Sequence, residues 1–311
     1  MIVIAFYQWE WVDVDSAEPI RRNSEIEDPT NLYCVHPISN RLTPLFARIG
    51  IVPNAVSITG MVFGVGSGFA YYRYQDTWFA IAGFVLMFAW HVMDGVDGQL
   101  ARLTGAQSPF GKVLDGICDY VTFTSVYIGL ALALAPQHGS WVWALVLVAG
   151  LFHAIQAAVY EVQRQEYNFW GRAQKSAEFR LVSGPPPGSG RSPVLEHIAN
   201  RLHSIYLNVQ LLPLGFNAAF RTKLDDALRS RQGHDASIRQ IYRQVFAPAV
   251  RTWSVMSANY RTLAIFVFSI IGRPMYYFYF EIFGLTLVMC ILLKRQRLLY
   301  TRFFKRLEAT S

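Results

Sequence analysis

Long apolar runs separated by short turn-like breaks set the reading of this chain. Six runs stand out, about Asn54–Tyr72, Trp78–Leu103, Gly111–Ala135, Trp141–Val162, Trp253–Gly272 and Met275–Leu293. Each approaches the roughly 20 apolar residues that a helix needs to cross hydrocarbon. The breaks include Ala135-Pro136-Gln137-His138-Gly139-Ser140 and Gly272-Arg273-Pro274, compositions that stop a helix and turn the chain. The pattern predicts an all-α integral membrane protein built as a six-transmembrane-helix bundle. Two other stretches repeat apolar residues at three- and four-residue steps, the mark of amphipathic helices. One is Leu32, Val35, Ile38, Leu42, Leu45 and Ile49, with Arg41 and Arg48 between; the other is Val194, Ile198, Leu202, Ile205, Val209 and Leu212. Such helices lie in the headgroup layer or pack on the protein's own cytoplasmic face. Between residues 183 and 190, Ser-Gly-Pro-Pro-Pro-Gly-Ser-Gly reads as a linker.

The organisation that follows has six parts. Residues 1–30 form an N-terminal cytoplasmic segment, 31–52 an interfacial amphipathic helix, and 53–163 the first four membrane helices. Residues 164–251 make a basic cytoplasmic insertion between helices four and five, 252–293 the last two membrane helices, and 294–311 a basic cytoplasmic tail. Composition agrees: 53% of the 311 residues are hydrophobic and only 16% are charged, against about 25% in a soluble domain. This composition excludes a disordered chain and argues against a soluble globule.

The net charge of +7 follows a membrane pattern, because cytoplasmic loops retain Lys and Arg. With the N-terminus inside, the outer loops hold only Arg73 and Arg273. The inner side holds four basic residues before the first span, Arg102 and Lys112 between spans two and three, thirteen from Arg164 to Arg251, and six after residue 293. Both termini are thus expected on the cytoplasmic side of a bacterial inner membrane or its equivalent. No nucleic-acid partner is expected, since the charge is split among loops rather than gathered on one face. Cys34, Cys118 and Cys290 are odd in number and far apart, so neither a disulfide framework nor a zinc site is indicated. Met1–Tyr7 lacks the basic start of a signal peptide.

Four carboxylates interrupt this apolar background. Asp94 and Asp97 stand in the second span, Asp115 and Asp119 in the third. Each charged Asp at a helix centre costs about 2.5–3.5 kcal/mol on insertion scales, so four of them have a purpose. At about 100° per residue, Asp94 and Asp97 differ by roughly 60°, while Asp115 and Asp119 drift by about 40°. Antiparallel neighbouring spans would set Asp94 level with Asp119 and Asp97 level with Asp115, a square of carboxylates around one gap. Like charges this close stay ionised only if something neutralises them. Hard divalent cations do so through oxygen ligands, and two ions about 3.5–4 Å apart form the usual clamp for displacement at phosphorus. Gly98, Ala101 and Gly111 leave room for a ligand, and Arg102 offers a planar donor for phosphate oxygens.

The spacing Asp-x2-Asp-Gly-x2-Ala-Arg-x8-Gly-x3-Asp-x3-Asp resembles the signature of the CDP-alcohol phosphotransferase (phosphatidyltransferase) family, with all eight fixed positions present: Asp94, Asp97, Gly98, Ala101, Arg102, Gly111, Asp115 and Asp119. The likeness covers roughly residues 30–165. It implies a six-helix enzyme, often a homodimer, whose site opens to the cytosol. It implies a CDP-linked donor, attack by an alcohol hydroxyl on the phosphorus distal to cytidine, and release of CMP. On that resemblance Asp94, Asp97, Asp115 and Asp119 hold two Mg²⁺ or Mn²⁺ ions, and Asp119 is also the general base. Gly98, Ala101, Arg102 and Gly111 line the nucleotide pocket, joined by Asn54 and Ser57, which follow the family's Pro-Asn opening of the first span at Pro53-Asn54. CDP-diacylglycerol is the preferred donor, with a small polar alcohol as acceptor. The alternative is a soluble CDP-alcohol with a lipid acceptor.

Weaker signals are weighed against plain packing. His91 reads as a hydrogen-bonded packing residue, and Cys118 likewise packs. Arg164, with Gln156 and Glu161 near the end of the fourth span, is a solvated end residue or part of an acceptor site. Arg261 lies about 16 Å inside the outer boundary, where an arginine faces a polar cavity with a partner. It contacts a substrate phosphate, snorkels, or pairs with a carboxylate. Trp78, Trp141, Trp143 and Trp253 fit an interfacial belt. A divalent-cation carrier would need polar residues through both membrane halves, yet the outer halves are apolar. An intramembrane prenyltransferase would need two separated aspartate motifs.

Overall fold

The computed structural model describes residues 24–174, 218–230 and 235–309. Those residues are helical, with no strand among them. The amphipathic stretch from Val194 to Leu212 and the linker at 183–190 lie outside the described residues. In chain order the helices are α1 (His36–Arg48), α2 (Pro53–Tyr72), α3 (Thr77–Thr104), α4 (Pro109–His138) and α5 (Trp141–Glu166). They continue as α6 (Ala218–Ser230), α7 (Asp235–Trp253), α8 (Ala258–Ile270), α9 (Met275–Tyr279) and α10 (Leu285–Ala309). Wider π turns precede α1 at Asn31–Val35, follow α5 at Tyr167–Gly171, and join α9 to α10 at Phe280–Gly284.

By length and composition, five helical stretches are able to cross a membrane: Pro53–Tyr72, Thr77–Thr104, Leu114–His138, Trp141–Gly171 and Met275–Ala309. The described residues thus form an all-α fold with five helices of membrane-crossing length and composition. The expected fifth span, about 253–272, is broken by a 3-10 turn at Ser254–Met256, and α8 has only 13 residues. It falls short of the roughly 20 that cross hydrocarbon without help.

The chain divides into two compact units, one within residues 14–154 and 254–289, the other within 155–253 and 290–311. In the first, α2 is the central helix and packs along both α3 and α4. α3 and α4, consecutive in the chain, also meet, with Trp90 of α3 edge-on to Phe123 of α4 at 5.5 Å between ring centroids. The close approach of α2 to α4 comes from a small-residue face. A Cβ on Gly64 would collide with the Thr122 side chain, and one on Gly68 would stand 2.5 Å from the Ser125 carbonyl oxygen. Gly129 of α4 meets the Gly68 carbonyl just as closely. Between apolar helices in lipid, such close backbone approach replaces the hydrophobic drive that water supplies to soluble bundles.

Local chemistry sets where the α3–α4 turn begins and ends. Gly105 closes α3 with a left-handed backbone (φ 66°), a conformation that costs glycine little. Ser108 caps α4 by accepting a bond from the Gly111 amide at 3.0 Å, with Pro109 in the first turn. The core beyond them is aromatic and aliphatic, including Tyr71, Trp90, Phe123, Tyr127, Leu130, Ile265, Tyr277 and Phe278.

α1 occupies most of the interfacial helix expected at 31–52, and its apolar stripe splits between two faces. Val35 is buried and Leu42 packs on the core around Val56, Val92, Val96 and Leu100. Ile38, Leu45 and Ile49 face outward, while Ser39 and Thr43 are buried. Ahead of α1, the buried Asp28 accepts from Ser257 Oγ at 2.5 Å and Asn259 Nδ2 at 3.2 Å, fastening residues 24–31 to the start of α8.

In the second unit, Phe220 stacks on Tyr300 at 4.1 Å between centroids, and Tyr242, Phe246 and Phe303 complete an aromatic cluster. Arg221 pairs with Glu166, and Arg239 donates to the Phe169 and Trp170 carbonyls at 3.2 and 2.7 Å. Burial, with Glu166 nearby, pushes the Tyr242 phenol well above its ordinary pKa. Trp78, Trp141 and Trp143 are exposed as an interfacial belt requires, but Trp253 is buried. It continues the inward face of α7 formed by Val245, Phe246, Ala249 and Val250, which corrects its assignment to the belt.

Replacing Gly64 with Leu would force α2 off α4. The expected loss is about 1–3 kcal/mol of stability, the usual cost of overpacking, read as a lower melting temperature of the detergent-solubilised protein against Gly66→Leu as control.

Candidate metal centre

α3 delivers Asp94 and Asp97 and α4 delivers Asp115, and one carboxylate oxygen from each lies within 4.8 Å of the others. Three of the four aspartates singled out in the sequence are thereby brought together. Asp119 is not part of this trio; it stands one turn, about 6 Å, further along α4 and near enough to Asp115 for their charges to interact. Asp97 is buried, whereas Asp94, Asp115 and Asp119 are half-exposed.

The donor set is all oxygen and carries excess negative charge, which suits Mg²⁺ or Mn²⁺ better than softer metals. Ser57, at the start of α2, donates its hydroxyl to Asp97 Oδ2 at 2.5 Å. Its single proton is committed there, the Pro53 carbonyl being further away at 3.3 Å. Ser57, expected among the nucleotide contacts, therefore orients a carboxylate in this structure. A hydrogen bond of this kind aims one oxygen and leaves the other to a cation.

The small residues around the trio have definite neighbours. A Cβ on Gly111 would stand 3.4 Å from Asn54 Oδ1 and 3.2 Å from Ser108 Oγ, so α2 and the cap of α4 meet at this glycine. The Arg102 guanidinium folds back along α3 to lie 3.5 Å from where a Gly98 Cβ would be. Ala101 stands between them in sequence and is half-exposed. Asn54, Gly98, Ala101, Arg102 and Gly111 thus lie at the ends of α2, α3 and α4 on the side of the aspartates.

The two arginines expected on the acceptor side are engaged elsewhere. Arg164 is paired with Glu161 at 2.8 Å and lies over the Tyr160 ring. Arg261 is one of the most deeply buried side chains; its Nε donates to Glu281 Oε1 at 3.0 Å and its Nη1 donates to the Met256 carbonyl. Of the three readings open for Arg261, pairing with a carboxylate is the one the structure shows.

That ion pair anchors a chain of hydroxyls whose directions are forced. Tyr277 donates to Glu281 Oε2 at 2.9 Å, so at 2.8 Å it must accept from Tyr127. Tyr127 has then spent its proton and accepts from His153 Nδ1 at 3.1 Å. The chain ties α4, α5, α8 and α9 together. Sequence reasoning missed it, although Glu281 in an apolar run was a signal. His91 behaves as the packing histidine expected, with Nε2 at 2.8 Å from Thr262 Oγ1. Cys118 is buried as expected.

Residues 50–182 match the family model described as CDP-alcohol phosphatidyltransferase. They form a CDP-alcohol phosphatidyltransferase domain. An archaetidylinositol phosphate synthase of Pyrococcus horikoshii is 33% identical over 92 residues, covering 30% of this chain and 47% of the relative. A choline/ethanolaminephosphotransferase of Arabidopsis thaliana is 28% identical over 122 residues, covering 36% of this chain and 31% of the relative. The chain thus spans from about a third to about half the length of these two relatives. A crystal structure of Mycobacterium tuberculosis phosphatidylinositol phosphate synthase with manganese and citrate aligns over 78% of this chain and 88% of that one, at 18% identity and a TM-score of 0.32. The phosphatidyltransferase domain contains all four aspartates, whereas Arg261 and Glu281 lie beyond it.

Replacing Arg261 with Leu would strand Glu281 as a buried charge. The expected cost is about 3–5 kcal/mol, measured as a fall in melting temperature. Arg261→Leu combined with Glu281→Leu should recover part of that loss, because no unpaired charge is left behind.

Proposed function

We propose that this protein transfers a substituted phosphate group from a CDP-linked donor to an alcohol hydroxyl, with release of CMP, in phospholipid biosynthesis. The observation that carries the reading is the trio of carboxylates from Asp94, Asp97 and Asp115 within 4.8 Å on two apolar helices. No packing need places three like charges there, and each has a large insertion cost.

On this reading Asp94, Asp97, Asp115 and Asp119 hold two divalent cations, Mg²⁺ or Mn²⁺. When bound, the cations stabilise negative charge developing on the transferring phosphate. Asn54, Gly98, Ala101, Arg102 and Gly111 bind the cytidine diphosphate portion, Arg102 through guanidinium donors to phosphate oxygens. An Asp119 carboxylate oxygen takes the proton of the acceptor hydroxyl as its oxygen bonds to the phosphorus distal to cytidine. The bond from that phosphorus to the CMP oxygen breaks, and CMP leaves with the electron pair.

CDP-diacylglycerol is the proposed donor, with a small polar alcohol as acceptor. The Arabidopsis relative's name, a choline/ethanolaminephosphotransferase, favours the second version, in which a soluble CDP-alcohol passes its headgroup to a lipid alcohol. We assign both termini and the site to the cytoplasmic side on the charge distribution, count the 258–270 helix as part of a sixth crossing, and expect a homodimer. Residues 164–251 are the cytoplasmic insertion. A cation carrier lacks support, since the deep polar groups beyond the aspartates close on one another as Arg261, Glu281, Tyr277, Tyr127 and His153.

The test is purified protein with Mg²⁺ or Mn²⁺ and a panel of CDP-linked donors and alcohols, reading CMP release and product mass. CMP release should stop on chelation. Asp119→Asn should cut turnover by at least about 10²-fold, the scale of losing a general base, with an unchanged melting profile. Normal turnover by that variant would remove Asp119 from the base role.

A further inference from the structure

The helix bearing Asp94 and Asp97 has another face, and it is held by polar bonds. Gln99 is buried on α3, two residues beyond Asp97 and pointing toward α1. Its Nε2 donates to Ser39 Oγ at 3.0 Å. Ser39 passes its own proton to the Val35 carbonyl at 3.2 Å. Thr43 Oγ1 lies 3.0 Å from Gln99 Oε1 and 2.8 Å from the Ser39 carbonyl, and shares its proton between the two acceptors. Both ends of the amide are thus engaged by α1. One turn earlier on the same face, Gly95 sits directly between the two aspartates in sequence. A Cβ there would stand 3.1 Å from Ser39 Oγ and 3.2 Å from Ser39 Cβ, so α1 rests against the backbone of the aspartate turn itself.

Geometry makes this consequential. Gly95 and Gln99 are four residues apart and share one face of α3, while Asp94 and Asp97 look away from it toward Asp115. Rotating α3 about its axis would move the carboxylates sideways by an amount that matters: at a radius of roughly 6 Å, 10° displaces an oxygen by about 1 Å, enough to spoil cation geometry. Apolar packing by Val92, Val96 and Leu100 holds the helices together but is non-directional. Directional bonds do not slide. Leaving the Gln99 amide unbonded in this buried place would also be costly, so the bonds select a single register.

We infer that Gln99, with Ser39 and Thr43 of α1, forms a positioning cluster that sets the rotation of α3 and so aims Asp94 and Asp97 at the cations. The inference rests on the metal reading of the aspartates given above. It assigns α1 a role beyond lying at the membrane surface: its outward residues Ile38, Leu45 and Ile49 are free to meet lipid, while its inward hydroxyls index the site.

The test uses the full chain, purified in detergent, with Mn²⁺ alone as probe and the free ion read by electron paramagnetic resonance. Gln99→Met keeps the shape and removes the amide. It should weaken Mn²⁺ binding by about 10-fold, the low end of the range for losing a direct hydrogen-bond partner of a ligand, because Gln99 acts through the backbone of α3, with a matching fall in kcat. Thr43→Val should act in the same direction more weakly, and Thr43→Ser, which restores the hydroxyl, should return binding to the wild-type value. Gln99→Met with Thr43→Val should be no worse than Gln99→Met, because the two act through one contact. A merely structural cluster would lower the melting temperature in chelator and leave Mn²⁺ affinity untouched, which overturns the role. If Gln99→Met does not fold, the Thr43 pair decides: equal Mn²⁺ affinity for Val and Ser also overturns it. A wild-type chain that takes up no Mn²⁺ would sink the metal reading, and the positioning role with it. Wild-type uptake matched by Gln99→Met would sink the positioning role alone.

Discussion

Three carboxylates held within 4.8 Å on apolar helices repel one another, and much of the described membrane unit serves to keep them there. In water such a cluster would disperse by rotating side chains or unwinding a turn. Between helices, neither escape is cheap, since unwound backbone in hydrocarbon loses hydrogen bonds worth several kcal/mol. The repulsion is therefore carried by the scaffold. α2 bears most of it, with its glycine face locked on α4 and its Ser57 hydroxyl spent on Asp97. The tight cap at Ser108 and the left-handed Gly105 fix the turn that joins the two aspartate helices.

The same unit holds a second set of ionisable groups, and the contrast is instructive. Glu281 has Arg261 beside it and accepts from Tyr277, so the deep charge is answered from within the chain. Every proton in the line from His153 to Glu281 has one acceptor, which stiffens the packing of α4, α5, α8 and α9. The Asp94, Asp97 and Asp115 trio is built the opposite way, with like charges as close neighbours and two of its three members partly exposed. A charge satisfied by its own protein is structural. A concentration of one sign, reachable from outside, is suited to something that arrives.

What the sequence disclosed follows the reach of each interaction. The aspartate spacing was legible because Asp94, Asp97, Asp115 and Asp119 are related by helical turns, and those turns form as drawn. Apolar run length likewise located α2 to α5 within a few residues. Lateral order was not fully legible: the short link between α3 and α4 says nothing of α2, which Gly64 and Gly68 bring against α4, and such contacts depend on which face meets which. Trp253 misled for a similar reason, because an aromatic residue at the edge of an apolar run has the same local pattern whether it faces lipid or the inside of α7. The break at Ser254–Met256 is carried by no glycine or proline. Gln99, Ser39 and Thr43 are small or uncharged polar residues that read as ordinary helix positions until two helices are set side by side.

The departure of Asp119 from the trio bears on how one motif divides its work. A carboxylate that shares a cation with two others gives electron density to the metal and becomes a poorer acceptor for a proton. A base for an alcohol hydroxyl is better placed at the edge of such a cluster, where one oxygen can serve a cation and the other is left for the substrate's proton. On the proposed reading, the four-residue step from Asp115 to Asp119 meets both needs: it preserves the facing direction within about 40° and moves the group about 6 Å along the helix. A three-residue step would swing it further around the axis, and a shorter one would turn it away. The regularity of the helix thus sets Asp119 at the rim of the ligand group without any irregular backbone, and the scaffold need only hold the rotation of two helices.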